Sequence, residues 1–274
     1  MTAPTTFAHS LDFAPRLLLL DSTDSTNADL VAQVRAEPDE WPEGSVLLTL
    51  DQRAGRGRLG REWTTPPGAA LAASLVVDAE GVPMDARGWL PLIAGLAMTR
   101  AVERALRGSG HEVSLKWPND VLVDGKKISG ILAEMVTGAE RDAIVVGAGV
   151  NTEMTLAQLP TATATSFAAL GVDVDVDLLL VGYLFTIDER WDALRATAGN
   201  PNTAGVRVEV KAVCSTLGTE VLVHVPGGDA LHGEAVDIDD FGRLVVRTAD
   251  GIVAVSAGDV VHVRAGADAG ALPG

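Results

Sequence analysis

The chain carries one cysteine in 274 residues. Cys214 therefore has no partner for an internal disulfide, which points to a reducing compartment. It lies away from the motifs described below and reads as a structural thiol of the C-terminal region. No His/Cys cluster with ligand spacing occurs, so a tightly held protein metal is not expected. Long apolar runs are missing too: Leu17-Leu18-Leu19-Leu20 is far too short to span a bilayer. The N-terminal MTAPTTFAHSLDFAPR has neither the basic start nor the apolar stretch of a signal peptide, so the cytoplasm is the expected location. Positive charge is scarce as well. With 21 Lys and Arg against 37 Asp and Glu, the formal net charge is −16. This balance argues against the broad positive surface that nucleic acids and anionic membranes require.

What is present is a folded, soluble composition, 47% hydrophobic and 21% charged. The length suits one large domain with a small companion. Leu17–Leu20 reads as a strand, followed by the polar turn Asp21–Asn27 and a helix over residues 28–34 with Ser or Thr as cap. Residues 45–50, 71–77, 112–115 and 143–147 read as strands. Trp89, Leu92, Ile93, Leu96, Val102 and Leu106 recur at helical spacing over residues 88–106, and a second long helix is expected over residues 177–195. Asp124-Gly125 between Val121–Val123 and Ile128–Leu132 signals a hairpin with a primed turn. Residues 152–166 read as loop or helix start. After Asn200-Pro201 the pattern changes to five short strands, at 207–210, 221–225, 234–238, 244–247 and 252–255, with turns at Gly227-Gly228, Asp240–Gly242 and Asp250-Gly251. Such spacing suggests a small barrel. The expected organisation is a domain over residues 1–201 with residues 1–15 loose, a barrel over 202–265, and a flexible tail over 266–274.

Against the acidic background, Arg53, Arg56, Arg58 and Arg61 gather in Asp51-Gln52-Arg53-Ala54-Gly55-Arg56-Gly57-Arg58-Leu59-Gly60-Arg61-Glu62-Trp63. Gly55, Gly57 and Gly60 spell the dinucleotide-binding G-x-G-x-x-G. That motif needs a helix starting at the loop to hold a pyrophosphate. Pro66, Pro67 and Gly68 bar one here, and no Walker A run occurs anywhere. Three readings stay open on the loop alone: a solvated surface loop, an RG-type nucleic-acid segment, or a clamp of guanidinium forks for one small anion.

The rest of the constellation decides. Ser25-Thr26-Asn27, QRAGRGRLGREW, Lys116-Trp117-Pro118-Asn119-Asp120, KKISGILAE and GAGVN follow one another in that order, and VSAGDVVHVR closes the barrel. Together they resemble the biotin–protein ligase family, the biotin–[acetyl-CoA-carboxylase] ligases, over residues 20–265. The resemblance implies an α+β fold: a mixed sheet with flanking helices, plus a small C-terminal SH3-like β-barrel. It implies a two-step activity. Biotin is activated by ATP to biotinoyl-5′-AMP, and a lysine of a biotin carboxyl carrier domain then takes the biotinoyl group. ATP and biotin are the substrates, and Mg2+ arrives as ATP's counter-ion.

By the same resemblance, Ser25, Thr26, Asn27 and Gln52 contact biotin, and Arg56, Gly57 and Arg58 form the loop that closes over biotin and the adenylate. Arg58 reaches the phosphate or carboxylate, Arg56 helps to order the loop, and Arg53 and Arg61 are peripheral. Lys116 sits between the biotin carboxylate and the α-phosphate, where it and Arg58 are the implied catalytic groups. Asn119 and Asp120 are expected to fix that lysine. The Gly130-Ile131 backbone lines the biotin pocket, while Lys127, Asn151 and Trp63 are the implied ATP contacts. The short stretch before the first strand leaves no room for the helix-turn-helix of repressor-type members, so no DNA partner is expected. No membrane partner is expected either, and oligomeric state is left undecided. A lipoate or octanoate attachment enzyme of the same superfamily is the alternative, but no RRxxGGG-like run occurs and KWPND favours biotin.

Overall fold

The computed structural model describes residues 7–137, 141–224, 230–256 and 259–262. The Gly227-Gly228 turn and the tail at 266–274 lie outside the described residues. The chain begins with α1 (Ala8–Phe13), β1 (Leu17–Leu20), α2 (Thr26–Ala36) and β2 (Val46–Thr49). The arginine loop is a minimal ribbon of β3 (Gly55–Arg56) and β4 (Glu62–Trp63). There follow β5 (Ala70–Asp78), α3 (Leu90–Ala105), β6 (Val113–Lys116), β7 (Asp120–Val123), β8 (Lys126–Met135) and β9 (Ala143–Asn151). Two further helices, α4 (Val176–Ala196) and α5 (Val206–Val213), precede β10 (Glu220–His224), β11 (Ala230–Ile238), β12 (Leu244–Thr248), β13 (Gly251–Val255) and β14 (Asp259–His262).

Seven strands form one sheet in the order β1-β2-β5-β9-β8-β7-β6. Only β1 and β2 run parallel, so the sheet is mixed. Its central strands show why one face is a core and the other holds a cleft. Side chains alternate faces along a strand. On β5 and β9, Leu71, Leu75, Val77, Ile144, Val146 and Val150 point to the α3/α4 side and join the main core. The opposite face starts with Val76, Ala143 and Val145 under α2, then turns small: Ala72, Ser74, Gly147 and Gly149. Helix α2 covers the first part, and the small residues floor an open cleft beyond it.

The hairpin is as expected: Asp124 and Gly125 both have positive φ (50° and 75°), the geometry of a primed two-residue turn. The five C-terminal strands form an antiparallel sheet in the order β13-β12-β11-β10-β14, the SH3-like unit.

Two expectations are corrected. Residues 207–210 belong to helix α5, not to a strand. Val206 and Val210 are buried one helical turn apart while Val208 is 68% exposed, so burial follows the helical period and overrides the β-branched composition. The barrel's remaining strand is β14. The N-terminus is not loose over residues 7–15: Phe7 is buried, and α1 docks on α4. The Asp177 carboxylate accepts from the backbone N–H groups of His9 (2.8 Å) and Ser10 (2.9 Å) and from the Ser10 hydroxyl (2.7 Å), meeting donors that a short helix leaves open.

Candidate active site

The cleft opens at the first turn of α2. Ser25 caps that helix, its Oγ accepting from Ala28 N at 3.3 Å, which places Thr26 and Asn27 over the sheet floor. All three residues are nearly buried. Thr26 donates through both N (2.9 Å) and Oγ1 (3.1 Å) to Gln52 Oε1. Cap and wall are thus the same residues.

Lys116 ends β6 on the facing wall. Trp117 next to it is fully buried and bonded to the C-terminal unit: its N donates to Thr216 Oγ1 (3.0 Å) and its Nε1 to Gly242 O (3.1 Å). The Trp117–Pro118 peptide is cis. Asn119 then clips the turn to β8, its Nδ2 donating to Ile131 O (2.7 Å) and its O accepting from Ile131 N (2.9 Å). Asp120, the other turn residue, pairs with Lys127. Lys116 pairs with Asp120 only through the strand register, and among the described residues its side chain makes no ion pair; it lines the cleft.

The arginine loop forms the lid. No helix follows it; a single turn over Arg58–Gly60 leads into β4, with Leu59 and Gly60 in the left-handed region (φ 57° and 74°). Arg56 Nη2 pairs with Glu134 Oε2 at 3.0 Å, and Arg58 Nη1 donates to Asn119 Oδ1 at 3.0 Å, on the same turn as Lys116. Arg53 pairs with Asp51 and stays peripheral, but Arg61 lines the cleft.

The other assignments divide. Gly130 and Ile131 line the cleft. Lys127 also does, but its Nζ is paired with Asp120 Oδ1 at 2.6 Å and lies 5.5 Å from the Trp63 ring. Trp63 lies flat against Gly149 and Gly130, where a Cβ on Gly149 would strike the indole. Its Nε1 is buried with no hydrogen-bond partner. Asn151 does not line the cleft: it is buried at the end of β9, Nδ2 donating to Thr165 O at 2.9 Å while Oδ1 has no partner.

Cys214, expected away from the motifs, bridges Leu115 on the Lys116 strand instead; burial pushes its thiol pKa up. Sequence reasoning missed Ser74, Glu134, Thr216 and His262. Ser74 was visible as the one hydroxyl in an otherwise apolar strand. Glu134 and His262 lie inside the quoted KKISGILAE and VSAGDVVHVR, but nothing local to them names their partners, which are far away in the chain, and Thr216 lies in no quoted motif. His262 Nε2 lies 3.2 Å from Thr216 Oγ1, and burial together with the nearby Lys116 charge lowers its pKa. Among the described residues no group of three His, Cys, Asp or Glu side chains is placed to hold a metal, and no helix is long and apolar enough to cross a membrane.

The same architecture occurs in known proteins. Residues 19–151 match the biotin/lipoate A/B protein ligase family and residues 216–263 match the biotin protein ligase C-terminal domain. A biotin–[acetyl-CoA-carboxylase] ligase of Mycobacterium tuberculosis is 38% identical over 91% of this chain and 90% of its own length. The chain belongs to the biotin protein ligase family. A ligase of the same description from Paracoccus denitrificans is 33% identical, covering 88% of this chain and 98% of its own. The biotin protein ligase of Aquifex aeolicus, solved in complex with biotin and ATP, superposes with a TM-score of 0.72 at 27% identity, over 92% of this ligase and all of that chain.

Proposed function

We propose that the cleft adenylates biotin and then passes the biotinoyl group to a lysine of a biotin carboxyl carrier domain. The observation that carries this reading is that Lys116 and Arg58, the latter bonded to Asn119 on the Lys116 turn, line one cleft over a floor of small residues walled by Ser25, Thr26, Asn27 and Gln52. In the first step a carboxylate oxygen of biotin attacks the α-phosphorus of ATP, and pyrophosphate leaves. Two anions must meet, so the demand on the protein is charge neutralisation and alignment rather than a covalent group. Lys116, on a rigid turn, supplies a fixed cation between the two, and Arg58 supplies a second one from the lid.

In the second step the acceptor amine attacks the acyl carbon of the mixed anhydride and AMP departs with the bonding electrons. Lys116 then neutralises the leaving phosphate. The Ser25 hydroxyl can still donate into the cleft, and the Asn27 carbonyl oxygen retains an acceptor site, which suits the N–H and C=O groups of a ureido ring. Gly130 and Ile131 wall its apolar part. Trp63 and Lys127 flank the nucleotide end. ATP brings Mg2+ held mainly on its own phosphate oxygens.

Mass spectrometry of a carrier domain after incubation with the enzyme, ATP and biotin tests the reading. One biotinoyl adduct on one lysine is expected. Pyrophosphate exchange stimulated by lipoate and not by biotin would contradict it.

A further inference from the structure

Asn27 and Arg56 stand on different elements, α2 and the lid, yet one carboxylate oxygen serves both. Glu134 Oε2 accepts from Asn27 Nδ2 at 2.8 Å and from Arg56 Nη2 at 3.0 Å. Asn27 Nδ2 also donates to Leu132 O at 3.1 Å, so both protons of the amide are used. Its Oδ1 lies 2.6 Å from Ser74 Oγ, which is 2.8 Å from Thr26 Oγ1. Thr26 in turn holds Gln52. A continuous polar path therefore runs from Gln52 through Thr26, Ser74, Asn27 and Glu134 to Arg56. Gly147 makes it possible, since a Cβ there would collide with the Asn27 amide.

The two ends of this path differ in strength. Asn27 is buried, so losing the Glu134 acceptor leaves an amide proton unmet and frees the amide to turn over. The Arg56 side chain is 48% exposed, and its pairing is weak and reversible. We propose that Glu134 is a positioning residue that orients the Asn27 amide in the biotin pocket and, through Arg56, ties the order of the arginine lid to occupancy of that pocket. A ligand that engages Asn27 settles the Glu134 carboxylate, and a settled carboxylate holds Arg56. The proposal rests on the reading of the cleft as a biotin site.

The experiment compares wild type, Glu134→Ala and Glu134→Gln in two measurements. One is ATP–pyrophosphate exchange over a range of biotin concentrations; the other is trypsin cleavage within residues 53–61 with and without biotin plus ATP. Glu134→Ala is expected to raise KM for biotin at least tenfold with kcat within threefold, and to abolish protection of the lid by ligand. Glu134→Gln keeps an acceptor for Asn27 but loses the charge facing Arg56. It is expected to bring KM back to within threefold of wild type while lid protection stays weakened.

Wild-type KM and protection in Glu134→Ala would overturn the proposal. So would a fall in kcat matching the rise in KM, with a lower Tm and no recovery in Glu134→Gln, because that pattern marks a merely structural residue. A wild-type enzyme without biotin-dependent exchange would overturn the biotin reading itself, and the proposal with it.

Discussion

Two segments bring cations to the same cleft, and they are built in opposite ways. Lys116 stands on a turn whose neighbour, Trp117, is fully buried and bonded through N and Nε1 to the C-terminal unit. Arg56 and Arg58 stand on a two-strand ribbon whose base is tied by backbone bonds from Arg53 N to Thr23 O and from Ala54 N to Asp24 O, while its tip meets the body through the Arg56 and Arg58 side chains, with Leu59 in a left-handed backbone and 55% exposed. Buried, mutually satisfied bonds cost free energy to break, whereas exposed ion pairs contribute about 0–1 kcal/mol. One half of the site is therefore preorganised. The other is a short ribbon whose arginines reach the cleft through exposed side chains. This division suits a reaction in which an activated anhydride must be kept from water yet shown to an acceptor protein.

The sharpest way to test the fixed half is to remove its charge. Lys116→Ala is expected to leave the circular dichroism spectrum and Tm intact while lowering the rate of pyrophosphate exchange by about 100-fold or more, the scale of losing one preorganised electrostatic contact. Near-normal exchange would remove Lys116 from the chemistry. Trp117→Ala attacks the foundation instead, and chemical denaturation should show a loss of about 3–5 kcal/mol, typical for deleting a buried tryptophan. On the lid, Arg58→Ala should weaken ATP or biotin binding by about tenfold, read as KM, with no change in Tm, because a charge-assisted hydrogen bond is worth about 1.5–3 kcal/mol.

The smallest effect concerns pH. The folded-state pKa of His262 lies below the unfolded value of 6.5, owing to burial and then to the Lys116 charge. Below that value the unfolded chain binds the proton more readily, so this contribution to stability is complete above pH 6.5 and is lost as the pH falls. Urea titrations of wild type and His262→Gln should diverge between pH 7.5 and pH 5.5, with the wild type losing more. Parallel losses would show that His262 carries no part of the dependence.

Much of this was legible beforehand, for identifiable reasons. Pro66 and Pro67 ruled out a dinucleotide helix, and Asp124-Gly125 marked the hairpin, because both act through the local backbone. The Lys116 turn and the Ser25–Asn27 cap could be assigned because they lie in contiguous motifs. Residues 207–210 misled because valines favour strands, and only the packing of α5 against α3 and α4 makes them helical. The contacts of Glu134, Thr216 and His262 stayed hidden, although Glu134 and His262 lie in quoted motifs, because each meets a residue remote in sequence: Thr216 meets Trp117, and Glu134 meets both Asn27 and Arg56. Asn151 was assigned to ATP from its motif; it shares the face of Gly147 and Gly149, but at the end of β9 it is buried with its amide donating to Thr165 O, outside the cleft lining.

The contrast between the two halves is open to direct measurement by hydrogen exchange of the backbone amides, with and without biotin plus ATP. The account predicts slow exchange over residues 114–119 in both states, and exchange over residues 53–61 that is fast without ligands and slows at least tenfold with them. Equal protection of the lid in both states, or ligand-dependent protection of the Lys116 segment, would contradict it.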